Sequence, residues 1–121
     1  MSIKRVLAVA TFALASAVTS SAFAHAKLQS SDPQAGSTLD TAPKQVRLKF
    51  NEALEPAFSK IKLTGPTNNE VPVTGTAVDK ADSTVITAQL PPLQAGEYHV
   101  EWSTMTHDGH KAKGAFSFKV K

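Results

Sequence analysis

Cysteine is absent from this 121-residue chain. That excludes disulfides, thiolate metal cages, iron–sulfur clusters, cysteine nucleophiles and a lipidated amino terminus. Methionine occurs only as Met1 and Met105, so soft sulfur donors are almost missing as well. No repeat or low-complexity tract is present, and a chain that is 41% hydrophobic and 19% charged is not a disordered one. There is no glycine-rich phosphate loop, no Gly-x-Ser-x-Gly elbow and no His-Glu-x-x-His motif, and the serines stand in no nucleophile context. A hydrolase is therefore not expected. The one long apolar run, Val6 to Val18, falls short of the ~20 residues that span a bilayer.

That run has the makings of a secretory signal peptide. Lys4 and Arg5 precede it as a positive n-region, and Ala22-Phe23-Ala24 follows as the small-x-small site of signal peptidase. Cleavage after Ala24 predicts a leader of residues 1–24 and a single mature domain of residues 25–121 that begins with His25. Losing Lys4 and Arg5 takes the net charge from +3 to about +1. The remaining Lys and Arg are scattered rather than gathered in a stripe, which argues against a nucleic-acid partner.

After the leader, the dominant period is 2. Val46, Leu48 and Phe50 alternate with Arg47 and Lys49, and Ile61 and Leu63 with Lys60 and Lys62. Val71 and Val73 flank Pro72, which reads as a short edge strand because proline cannot donate to a ladder. Thr84 to Leu90 is β-branched; Tyr98, Val100 and Trp102 share a face opposite Glu97, His99 and Glu101; Phe116, Phe118 and Val120 close the series. Turn signals separate these runs, from Ser31-Asp32-Pro33 to Asp108-Gly109. With a first strand at Ala26 to Ser30, the pattern predicts an all-β, antiparallel Greek-key sandwich of about seven strands. The aromatics Trp102, Tyr98, Phe116, Phe118 and Phe50 are expected to fill the space between the sheets.

Chemistry concentrates at the histidines. As a first residue, His25 would offer its α-amine and imidazole Nδ1 to one metal ion as a chelate, and both nitrogens are freed by a strongly binding metal near neutral pH. Asp108-Gly109-His110 is a favoured hairpin turn that projects a carboxylate and an imidazole from a constrained loop. His107 stands beside them as a further candidate donor. Amine, imidazole and carboxylate without sulfur form a set that in tetragonal geometry favours Cu(II), with zinc as the main competitor. His99, opposite the Tyr98–Val100–Trp102 face, is expected to be an ordinary surface histidine.

Several segments together carry a resemblance. They are His25-Ala26-Lys27-Leu28 with Ser31-Asp32-Pro33 and Gly36; Val46-Arg47-Leu48-Lys49-Phe50-Asn51-Glu52; Gly96-Glu97-Tyr98-His99-Val100-Glu101-Trp102; and Asp108-Gly109-His110 with Gly114 and Phe116-Ser117-Phe118-Lys119-Val120. From His25 onwards the chain resembles the CopC family of periplasmic copper-binding, copper-resistance proteins. The resemblance implies a cupredoxin- or immunoglobulin-like sandwich and a periplasmic location. It implies Cu(II) ligation by His25, Asp108 and His110, and a CopD-like inner-membrane protein as partner of a monomeric carrier. Family members with a Cu(I) site carry a methionine-rich stretch between middle strands, whereas Glu55 to Pro72 contains no methionine. His107 is outside the transferable motif, which leaves an axial contact, a place behind the ligands or plain solvation, the last two being preferred.

Two other functions compete. A histidine-brace copper enzyme, similar to lytic polysaccharide monooxygenases, would need a substrate platform that so short a domain hardly provides and a coordination position that Asp108 would fill. An interaction module without metal would leave His25 and Asp108-Gly109-His110 as coincidences.

Overall fold

Residues 26–121 are described in a computed structural model of the chain; the expected leader, residues 1–24, and His25 lie outside the described residues. The period-2 runs become strands because alternate side chains point to opposite faces, so a run such as Val46-Arg47-Leu48-Lys49-Phe50 buries one face and wets the other. In chain order the strands are β1 (Leu28–Asp32), β2 (Thr38–Leu39), β3 (Gln45–Phe50), β4 (Lys60–Thr64), β5 (Glu70–Val71), β6 (Thr74–Val78), β7 (Val85–Gln89), β8 (Gly96–Met105) and β9 (Lys111–Val120). A 3₁₀ turn, Pro56–Phe58, precedes β4. One sheet runs β1-β3-β7-β6 and the other β2-β9-β8-β4-β5. The core between them holds Val46, Leu48, Phe50, Leu63, Ile86, Val100 and Phe118, all essentially inaccessible. The expected all-β sandwich is what forms.

Five details differ from the expectation. The sandwich has nine strands among the described residues in place of about seven, β2 and β6 being the additions. The second sheet is mixed, because β2 lies parallel to β9 through Thr38↔Lys119 and Leu39↔Val120. The chain leaves β1, turns at Gly36 with φ +75°, and bonds Gly36 N–H to the Ser117 carbonyl at 2.7 Å, so the next residues run along β9 in its own direction. The first strand occupies Leu28–Asp32 instead of Ala26 to Ser30, with an irregular register at Leu28/Ser30 and a buried Ala26 ahead of it. At Val71-Pro72-Val73 only Glu70–Val71 pairs, as an edge strand, since proline cannot extend the ladder. Finally, Phe116 is only partly buried, packing against the core from its margin.

The longest pairing is β8 with β9, continuous from Gly96↔Val120 to Met105↔Lys111. Within it Trp102 sits opposite Gly114, and the indole lies over the glycine and meets Phe50 edge-on, ring centroids 4.8 Å apart. A Cβ at Gly114 would stand 2.5 Å from Trp102 Cζ2 and 2.8 Å from Cε2, well inside contact distance, in a core where the indole is already packed against Phe50. Gly114→Ala is expected to cost about 1–3 kcal/mol as overpacking. For a domain of this size that lowers the thermal midpoint by about 4–8 °C per kcal/mol. Thermal unfolding followed by near-ultraviolet dichroism of the lone tryptophan checks this; an unchanged midpoint would contradict the packing described.

Candidate metal site at the β8–β9 turn

Strand parity continues past β8 into the turn. Trp102, Thr104 and Thr106 are all buried, so Thr106 is the last inward-facing residue before the chain reverses. The reversal is closed by Thr106 N–H to the His110 carbonyl at 3.0 Å and Gly109 N–H to the Thr106 carbonyl at 2.9 Å. Gly109 adopts φ +88°, a left-handed conformation that glycine reaches without steric cost.

The Thr106 hydroxyl, buried beneath the turn, donates to Asp108 Oδ1. The other carboxylate oxygen, Asp108 Oδ2, lies 3.0 Å from His110 Nδ1. Both side chains remain about half exposed. The Asp108 carboxyl is held below the usual carboxylate range chiefly by the Thr106 hydrogen bond, which outweighs the opposing desolvation, with His110 adding to the lowering. Near neutral pH the carboxylate is therefore an acceptor, and the proton in the pair belongs to Nδ1. A separation of 3.0 Å is also the span of two ligands about 2.0–2.2 Å from a common ion at roughly a right angle. A divalent ion replacing that proton would find both donor atoms at ligand spacing, with the ring and the carboxylate turning from the N···O line to face it.

Backbone and side-chain contacts bring other segments to this end of the sandwich. Leu54 bridges to Thr106, and Glu55 N–H donates to the Met105 carbonyl at 2.8 Å. Leu54 N–H also donates to the Ser83 carbonyl at 2.9 Å. The Ser83 loop is itself fixed by Asp82, which accepts from the Thr84 amide and hydroxyl; the Asp82 carboxyl is lowered to about 2, chiefly by those bonds. Asn51 Oδ1 accepts from Lys27 N–H at 2.7 Å, and Asn51 N–H donates to the Lys27 carbonyl at 3.2 Å. Asn51 and Leu54 are separated by no more than about 10 Å of chain, so the described chain begins, at Ala26, on the same end as the Asp108–His110 pair.

The structure thus brings together Asp108 and His110 and leaves His107 apart from them. His107 Nδ1 pairs with Glu55 Oε1, which ties the turn to the loop after β3. Among the described residues, no three His, Cys, Asp or Glu side chains converge as a metal cage. His99 stands on the exposed face as expected, its Nδ1 2.6 Å from Ser117 Oγ. Sequence reasoning passed over Thr106, Asn51 and Glu55. Continuing the Trp102–Thr104 alternation would have placed Thr106 inward, but no local signal marks Asn51 or Glu55, whose partners are distant in sequence.

A two-sheet sandwich with a carboxylate–imidazole pair on its longest hairpin is a scaffold of the metal-binding class. The CopC domain model matches residues 28–121, and the chain belongs to that family. It is 36% identical over 121 residues to Protein YobA of Escherichia coli K12, covering 99% of this chain and 95% of that one. It is 35% identical to Copper resistance protein C of Pseudomonas syringae pv. tomato over 127 residues, covering both chains in full. Among solved structures it is similar to CopC from Methylosinus trichosporium OB3b, with TM-score 0.73, 29% identity, and 80% and 94% of the two chains covered. It is likewise similar to PcoC, a methionine-rich copper resistance protein from Escherichia coli, with TM-score 0.71, 36% identity, and 81% and 100% covered.

The turn carries its own test. Thr106→Val keeps the shape and removes the hydroxyl, so the Asp108 carboxyl should rise toward the ordinary range. A carboxylate with a depressed folded-state pKa adds stability above its unfolded value, and that stability is lost as pH falls through the folded value. The variant should therefore lose less stability than the parent between about pH 4 and pH 2. Carboxyl-carbon NMR titration reads the pKa directly; an unmoved Asp108 would assign its depression elsewhere.

Proposed function

We propose that the chain is a periplasmic Cu(II)-binding protein in which His25, Asp108 and His110 hold the ion as cargo. Export removes residues 1–24 and exposes the α-amine of His25, and the loaded, monomeric domain of residues 25–121 confers copper resistance by sequestering the ion or passing it to a CopD-like inner-membrane partner. The reading is one of binding, not catalysis. The observation that carries it is the Asp108–His110 pair, spaced at 3.0 Å like two adjacent ligands and anchored by a buried threonine.

Several further facts support the details. His25 immediately precedes Ala26, which lies at the same end as the pair. Two donors from the turn leave a divalent ion under-coordinated, and a chelating terminal histidine supplies two more nitrogens. A nitrogen and oxygen set favours Cu(II), which heads the divalent affinity order ahead of zinc. PcoC is described as methionine rich, whereas Met105 is the sole methionine of this chain after Met1, so Cu(I) lacks its usual ligands. The copper transport protein CutJ of Bacillus subtilis matches 81% of this chain with only 18% of its own length; there a domain of this kind is joined to a much longer copper-transport chain. That arrangement supports a membrane partner for a free-standing relative. Phe58 is the one large hydrophobic side chain exposed among the described residues, too little apolar surface for an obligate dimer.

Asp108→Ala and His110→Ala should each weaken Cu(II) binding by more than about 100-fold, beyond the 10–100-fold typical of losing a partner behind a ligand. His99→Ala should leave affinity unchanged, and His107→Ala should have a small effect. Competition titration with a chromophoric Cu(II) chelator decides; His99→Ala or His107→Ala proving the most damaging would overturn the ligand set.

A further inference from the structure

The outward face of the β4–β8–β9 sheet is unevenly charged. In the half distant from the metal turn, acids and bases are mixed: Glu101 is in register with Lys62, and Glu97 with Lys119. In the half adjoining the turn, Ser103 is flanked in register by Lys60 and Lys113, and Met105 lies opposite Lys111. No carboxylate stands in those rows, and the ion pairs among the described residues engage Lys49 and Lys121 instead of these lysines. The nearby Glu55 carboxylate is already taken by His107.

Phe58 closes one side of this patch. It is 52% exposed, on a 3₁₀ turn that is fixed to β8 by the Ser59 and Thr104 hydroxyls at 3.0 Å, both residues buried. The turn is thus held in place while its phenyl ring faces water, an arrangement that folding alone does not require. Between Phe58 and the lysines runs a groove of about 470 Å³, lined also by Ser103 and Met105.

We propose that this groove docks an extended acidic segment of a protein partner beside the turn that presents Asp108 and His110. Carboxylates of the segment would neutralise Lys60, Lys111 and Lys113, and one apolar side chain would cover Phe58 and Met105. Three cations that form no ion pair among the described residues, with Glu101 and Glu70 bordering the patch only on its far side, favour an anionic partner and steer its approach. The concave shape favours a strand of peptide over a flat lipid surface. The proposal concerns a face that the metal does not need, so it stands or falls separately from the copper reading.

The test uses the metal-free chain beginning at His25 and a ten-residue Glu/Asp peptide with one central leucine, followed by amide NMR. Saturable shifts should gather at Phe58–Lys60, Ser103–Met105 and Lys111–Lys113. Lys60→Glu with Lys113→Glu should weaken binding about tenfold or more, as should a rise from about 20 to about 200 mM salt. Lys44→Glu with Lys80→Glu, which changes net charge equally on exposed positions elsewhere, should have little effect, and Phe58→Ala should weaken binding without altering the salt dependence. Equal losses in the two double variants would reduce the effect to non-specific attraction and overturn the proposal. So would shifts centred elsewhere, or saturable binding to phosphatidylglycerol vesicles with none to the peptide. Well-dispersed spectra confirm that each variant remains folded.

Discussion

The unbroken antiparallel register of β8 and β9 is the constraint on which the rest of the site depends. From Gly96↔Val120 to Met105↔Lys111 no bulge interrupts the ladder, so the position and direction of residues 106–110 follow from the core. The packing beneath enforces that register. Tyr98 stacks on Phe118 at 5.4 Å, and Trp102 fits only because its cross-strand neighbour is Gly114. A one-residue slip would turn these aromatics to solvent and carry Thr106 out of the interior. The placement of Asp108 and His110, the proposed ligands, is thus a by-product of core packing, since the short turn that carries them is held by rigid strands.

Electrostatics then prepares the tip. The buried Thr106 hydroxyl fixes one oxygen of Asp108 and keeps the carboxylate ionised, and the second oxygen orients the His110 ring. A divalent ion entering this pair would compete with a single proton, and the imidazole and carboxylate would only have to turn from the N···O line to face it. Cargo binding benefits from such preorganisation because the ordering cost has been met during folding. The His107–Glu55 contact and the Leu54–Thr106 bridge add a tether from the loop after β3. Asn51 extends that tether to Lys27, so the start of the described chain and the tip of its longest hairpin share one loop as a common support.

Much of this was legible in the chain itself, for reasons that differ from place to place. The core strands could be read because burial of one face leaves a strict alternation, as in Gln45–Phe50 and Gly96–Met105. The short strands could not: Thr74–Val78 has Gly75 at its second position and little apolar content, and its pairing with β7 is imposed by the sheet. The parallel β2 was hidden because it depends on a long-range bond from Gly36 to Ser117. At the site, Asp108 and His110 were evident from adjacency in a turn. The role of His107 was left open because its partner, Glu55, lies 52 residues away; that contact exists only after folding.

In the proposed site the terminal amine of His25 joins Asp108 and His110 around one Cu(II) ion. The most direct measurement compares the chain beginning at His25 with the same chain carrying one additional glycine before it. The extra residue converts a basic amine into an amide, a poor donor unless it loses its proton, while Asp108 and His110 are untouched. Affinity by competition titration should fall by more than about 100-fold, the loss expected of a ligand and not of a supporting group, and the paramagnetic resonance spectrum should change with it. Unchanged affinity and an unchanged spectrum in the extended chain would exclude the amine as a ligand.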